Sequence, residues 1–145
     1  MKKAIMLLLA VAGCAKPQIT EDLSGQIGKV WKARQVKENN TLVYSEGAAS
    51  NIRQTYVRFR LDLSLPKVVT LTEVNGDVIK GTWTLSTDQK RLILQSLNPK
   101  PTGSDGSMEY FIVKGPAGSE LGLTRLTESR KTGNSLNEYD LVPAE

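Results

Sequence analysis

An all-β fold, an up-and-down antiparallel barrel of eight or nine strands, is what this 145-residue chain predicts, on three observations. Val57, Phe59, Leu61 and Leu63 alternate with Tyr56, Arg58, Arg60 and Asp62, and a period of two marks a half-buried antiparallel strand. Short apolar or β-branched runs recur, with turn residues at intervals of about eight to twelve positions. Asn75-Gly76 separates two such runs, the sequence of a two-residue hairpin whose central positions both take positive φ.

Strands are expected, in order, over residues 26–36, 41–45 and 57–63. Residues 68–74 (VVTLTEV) are β-branched and break at Asn75-Gly76-Asp77. Residues 78–85 follow, with Ile79, Gly81, Trp83 and Leu85 on one face, and residues 86–90 turn the chain into 91–97 (RLILQSL). Residues 98–107 (NPKPTGSDGS) form a loop of breakers, and 108–114, 120–126 and 138–142 supply the last three strands. No helical stretch is evident. Hairpin-length connections in succession give a meander, and closing it removes exposed edges. An eight-stranded barrel is either filled by side chains or holds one small ligand.

The N-terminus has a different character. Met1-Lys2-Lys3, the apolar residues 4–12 and then Gly13-Cys14 have the parts of a secretory signal peptide. The apolar run would make about 14 Å of helix, roughly half of a ~30 Å hydrocarbon core, so it is too short to span a membrane. Val11-Ala12-Gly13-Cys14 resembles the lipobox of bacterial lipoproteins. That resemblance implies cleavage between Gly13 and Cys14, diacylglycerol on the Cys14 sulfur, and the membrane as a partner through this lipid. Two or more acyl chains hold firmly where one holds marginally. Plain secretion would instead leave the lone thiol unpaired in an oxidising compartment. Ala15, in place of an aspartate, favours the outer membrane of the cell envelope. The expected organisation is a signal peptide over 1–13, a lipidated tether over 14–23 and a barrel over 24–145. Pro17 opposes helix in the tether, whose residues 15–22 reach at most about 28 Å.

Composition excludes much. Cleavage would take the basic residues from 19 to 17 against 15 acidic ones, and the formal charge from +4 to +2. The remaining charges alternate in sign, so nucleic acid is not an expected partner. With no histidine and Cys14 committed to lipid, neither a histidine-assisted nucleophile nor a histidine-ligated zinc can be built. No metal, cofactor or enzymatic activity is expected. Ser64-Leu65-Pro66-Lys67, Ser104-Asp105-Gly106 and Lys131-Thr132-Gly133 echo in order the motifs of penicillin-recognising serine enzymes. Pro66 follows a strand, however, no helical domain exists, and the middle motif is wrong. Gly103, Asp105 and Gly106 lack the acid spacing of a calcium loop. Asn39-Asn40-Thr41 is a glycosylation sequon by pattern alone. Glu120 and Glu138 are explained by solvent-facing alternation, as are Arg58 and Arg60.

Three stretches carry a family resemblance. They are Gly28-Lys29-Val30-Trp31, the run 74–94 with Gly81-Thr82-Trp83 followed by a polar turn, and the closing segments 120–124 (ELGLT) and 138–142 (EYDLV). Over about residues 24–143 the chain resembles the small bacterial lipocalin-like lipoproteins common in the Bacteroidetes. The resemblance implies a calycin-type barrel in the cell envelope. Lipocalins proper carry Gly-x-Trp in the first strand, whereas one extra residue separates Gly28 from Trp31 here. They also pack an arginine across that tryptophan, for which Arg125 is the candidate. Trp31 and Trp83 are expected to plug or pack the barrel rather than to stack on a ligand.

Two functions follow as expectations. In the first, the barrel binds a small apolar ligand, lined from Val57, Phe59, Leu61, Ile79, Trp83 and Leu85, with Gly81 leaving room on that face. In the second, the barrel is filled and its surface binds another envelope protein. A cavity of several hundred Å³ inside the barrel would favour the first and a solid core the second.

Overall fold

The computed structural model describes residues 22–145; Cys14, the signal peptide and most of the tether lie outside the described residues. Helix α1 (Leu23–Ile27) leads into nine strands: β1 (Val30–Glu38), β2 (Thr41–Ser45), β3 (Arg60–Leu65), β4 (Val68–Thr72), β5 (Val78–Leu85), β6 (Arg91–Asn98), β7 (Met108–Ala117), β8 (Glu120–Thr127) and β9 (Ser135–Pro143). Every pairing is antiparallel, in the order β2-β1-β3-β4-β5-β6-β7-β8-β9, and β1 also pairs with β9. Eight strands therefore close a barrel, with β2 as an extra one.

Strand β1 makes this closure possible because its two edges are shared unequally. One edge runs along β9 from Trp31 to Glu38, with a register shift between Ala33 and Gln35. The other pairs with β3 through Val30, Trp31 and Lys32, then with β2 from Gln35 to Glu38. A 3-10 helix, Gln54–Arg58, carries the chain from the β2 side back to β3.

The expected elements need four corrections. The first strand begins at Val30 rather than at residue 26, because residues 23–27 form α1 across one end of the barrel. Leu23, read as tether, opens that helix. Five residues are too few to register a helical period, and packing makes the helix: Ile27 is fully buried and its carbonyl accepts the Trp31 indole N–H at 2.8 Å. Second, residues 57 and 58 belong to the 3-10 helix, not to a strand. Tyr56 is buried there and Val57 is 48% exposed, the reverse of the expected parity.

Third, the hairpin at Asn75-Gly76 has three loop residues, not two. Glu73 N–H donates to Asp77 O and Gly76 N–H to Glu73 O, both at 2.9 Å, and only Gly76 has positive φ (94°). That is a turn closed by a glycine bulge. The two-residue turn with both φ positive lies at Asn39 (48°) and Asn40 (66°), between the paired Glu38 and Thr41. Fourth, Gly81 opens no space. Strand β6 carries an extra residue opposite it, and a Cβ at Gly81 would lie 2.5 Å from Gln95 O and 2.9 Å from a Leu97 methyl.

The interior is packed. Trp31, Leu61, Leu63, Leu71, Ile79, Leu92, Leu94, Leu121, Leu123 and Leu141 are essentially inaccessible and contributed by strands all around the wall. The two ends differ. One carries α1, the Pro66-Lys67 turn and the β5–β6 and β7–β8 turns; the other carries the 3-10 helix and the β1–β2, β4–β5, β6–β7 and β8–β9 loops.

Candidate functional site

The inward parity that builds the core continues to the loop-rich end and changes character there. On β8 it runs Leu121, Leu123, Arg125; past β4 it runs Val69, Leu71, Glu73; on β9 it runs Leu141, Tyr139, Asn137. Aliphatic side chains thus give way to aromatic and polar ones at the mouth. Tyr110 enters from β7, Phe59 from the start of β3 and Tyr56 from the 3-10 helix. Tyr139 is the hub: its ring lies 5.3 Å from Phe59 (stacked), 5.8 Å from Tyr110 and 6.3 Å from Tyr56, the last two edge-on.

A pocket of about 250 Å³ remains above this cluster, lined by Tyr56, Phe59, Leu71, Glu73, Val74, Asn75, Met108, Tyr110, Arg125 and Tyr139. The phenols are tied in part to their neighbours. Tyr56 donates to Glu38 Oε1 at 2.8 Å, and Arg53 Nε holds the other carboxylate oxygen at 2.9 Å. Asn137 Nδ2 donates to Tyr139 Oη at 3.2 Å and to Tyr56 Oη at 3.4 Å. Burial raises all three phenols above their ordinary value of 10.0, and for Tyr139 the Asn137 hydrogen bond and the Arg125 charge pull the other way. They are neutral hydroxyl donors at physiological pH.

A larger pocket, about 670 Å³, opens at the α1 end, where the inward-facing Leu63, Trp83 and Leu85 reach the rim of the barrel. Leu63, Pro66, Lys67, Trp83 and Leu85 line it, and Gln89 Nε2 reaches Asp22 Oδ1 across its rim at 3.3 Å. Trp83 is only 5% exposed there, and its indole N–H donates to Leu65 O at 3.1 Å.

The six residues expected to line one ligand site are therefore dispersed. Phe59 reaches the mouth pocket, Leu61 and Ile79 are sealed in the core, Trp83 and Leu85 face the α1-end pocket, and Val57 points outside. Alternation within a strand places residues on one face but does not say at which height of a barrel they end. Trp31 plugs the floor beneath α1, as expected. Arg125 is not its counterpart, because Arg125 lies at the mouth; Lys29 instead sits 5.8 Å from the Trp31 ring centroid and donates to Gly118 O. Tyr110, Tyr139, Met108 and Glu73 were missed, although the period of two in 108–110 and 139–141 would have placed the tyrosines inside.

The rejected motifs fall apart in space. Ser64 and Lys67 flank the turn at the α1 end, while residues 104–106 and 131–133 occupy loops at the opposite end. Arg58 reaches Asn75 O at 3.5 Å, and Arg60 donates to the Val57 and Phe59 carbonyls. Among the described residues no cluster of acids or cysteine could hold a metal ion, and no helix is long and apolar enough to cross a membrane.

No family model matches the chain, and no curated protein matches it. Two solved structures match the chain. A lipocalin-like protein from Bacteroides uniformis ATCC 8492 is 13% identical with a TM-score of 0.45, over 83% of this chain and 100% of its own. An uncharacterized protein from Bacteroides eggerthii DSM 20697 is 11% identical with a TM-score of 0.43, over 80% of this chain and 98% of its own. The chain's own topology, an eight-stranded antiparallel meander closed on itself over a buried tryptophan and a short capping helix, makes its fold lipocalin-like.

Proposed function

We propose that this chain is a lipid-anchored cell-envelope protein that binds one small molecule with an apolar body at the mouth of its barrel. One observation carries the binding reading: at the loop-rich end the barrel wall turns aromatic and polar around an open pocket of about 250 Å³ that Arg125 and three tyrosines line. That is just under the size of sites that take drug-sized molecules, so the ligand is small. The anchor rests on residues 1–14, and neither the anchor nor the pocket calls for catalysis or a cofactor.

Native mass spectrometry of the protein extracted from its own host tests the reading. A retained small-molecule adduct is expected; a bare mass under conditions that keep the fold counts against it. A second reading, an envelope protein-interaction module, draws support from the outer wall. Phe111, Leu126 and Leu136 project from three neighbouring strands and are all substantially exposed, with Val113 further along β7. A bare mass together with loss of a cross-linked envelope partner on Phe111→Ser would favour it.

A further inference from the structure

We infer that the ligand of the mouth pocket carries a carboxylate, received by Arg125 with the Tyr110 hydroxyl beside it. The inference rests on the binding reading above and specifies its chemistry. Arg125 is the only inward-pointing residue of β8 that is not aliphatic before the strand reaches the mouth. Phe111 pairs with Thr124, so Tyr110 stands directly across from Arg125 on β7. On the other side Arg125 pairs with Asn137, and Tyr139 is the next inward residue of β9. The guanidinium is thus flanked by a phenol from each neighbouring strand.

The hydrogen-bonding account leaves donors over. Among the described residues the Arg125 side chain makes no ion pair and no hydrogen bond. Tyr139 Oη accepts from Asn137 and also contacts the Tyr56 hydroxyl, so it belongs to the Glu38–Tyr56–Asn137 network at the edge of the pocket, whereas the Tyr110 hydroxyl lies outside that network. Tyr56, by contrast, has spent its proton on Glu38. A planar five-donor fork beside a hydroxyl donor matches the two oxygens of a carboxylate. The pocket's one acid, Glu73, follows β4, half-way round the closed barrel from β8; its charge reaches Tyr110 and opposes an anion, which Arg125 must outweigh. The apolar body then lies on Phe59, Leu71 and Met108. At about 250 Å³ this admits an aryl or short-chain carboxylate and excludes a haem or a long acyl chain.

The test uses the chain with Cys14→Ala, which leaves every barrel residue in place, and reads the Met108 methyl signal by NMR. The signal is assigned with Met108→Leu. Three probes share one body: 3-phenylpropanoate, 3-phenylpropanol and 3-phenylpropylamine. The acid is expected to shift the Met108 methyl with at least about tenfold higher affinity than the alcohol. The amine is expected to be weaker still. Arg125→Gln should abolish the preference for the acid, and Glu73→Gln should strengthen the acid. Equal affinity for acid and alcohol would overturn the carboxylate inference while leaving the pocket reading intact. No shift with any of the three would overturn both. Should Arg125→Gln not fold, the acid-to-alcohol ratio on the parent chain decides alone.

Discussion

At the scale of single residues, the sequence-to-structure link is clearest where a side chain fills one defined space. Trp31 is fully buried between α1 and the strands, and its only polar atom is satisfied by Ile27 O. Trp31→Ala is expected to destabilise by about 3–5 kcal/mol, read from a urea titration. Gly81 is a case of close approach: its missing Cβ is occupied by β6 backbone, which cannot rotate away. Gly81→Ala should therefore cost about 1–3 kcal/mol, and an unchanged denaturation midpoint would contradict the bulge geometry. On the outer wall Glu120 joins Lys114 and Arg34, and Arg34 also holds Asp140. The Lys114 and Arg34 hydrogen bonds hold the Glu120 carboxyl below its ordinary value of 4.5. A depressed carboxyl stabilises the folded state above its unfolded pKa, and this contribution is lost as pH falls through the folded value. Stability should fall from about pH 4.5 downward, and Glu120→Gln should flatten that acid limb in urea titrations across pH.

At the scale of elements, turns and ends decide what the alternation of apolar residues leaves open. Asn75-Gly76 marks the β4–β5 hairpin correctly as a location, yet the turn that forms there needs positive φ only at Gly76. Nothing crowds a Cβ at that position, so Gly76→Ala should cost only the backbone strain, about 1–2 kcal/mol. Gly25 offers the opposite sign. It lies in α1 with no positive φ and nothing within 4 Å of a Cβ, so Gly25→Ala is expected to stabilise by about 0.4–1 kcal/mol. Thermal melting of the two variants side by side checks both directions. The 3-10 helix shows how one short element inverts a pattern. By coiling residues 54–58 it turns Tyr56 inward and Val57 outward, where a continuous strand would have done the reverse.

At the scale of the molecule, closure is achieved by one long strand that changes partners along its length, and the result is a filled cylinder with two unlike ends. The aliphatic and indole side chains below close off the mouth pocket, and this sets an upper size on any ligand there. Haem-like and retinoid-like compounds are expected to leave the Met108 methyl signal unmoved, whereas small aryl carboxylates move it. The tether prediction belongs to this scale too. Cys14→Ala should transfer the protein from the membrane fraction to the soluble periplasm, and unchanged membrane association would remove the lipoprotein reading.

Strand positions, the antiparallel meander and the buried parity of the best-patterned segments were legible in the residues, because a period of two and turn-forming asparagine, glycine and proline act over a few neighbours. Residues 41–45 and 78–85 fold as strands with the bounds the pattern predicts. The short capping helix, the three-residue hairpin loop and the filling of the Gly81 space were decided by tertiary contacts, each by a partner from elsewhere in the chain or from across the sheet. The same holds for the mouth. Arg125, Tyr110 and Tyr139 are spread over some thirty residues of sequence, and only the register of β7 and β9 on β8 brings them to one wall. Local chemistry determined which elements form; the height at which each inward side chain meets the barrel axis was set by strand register and closure, which depend on every pairing at once.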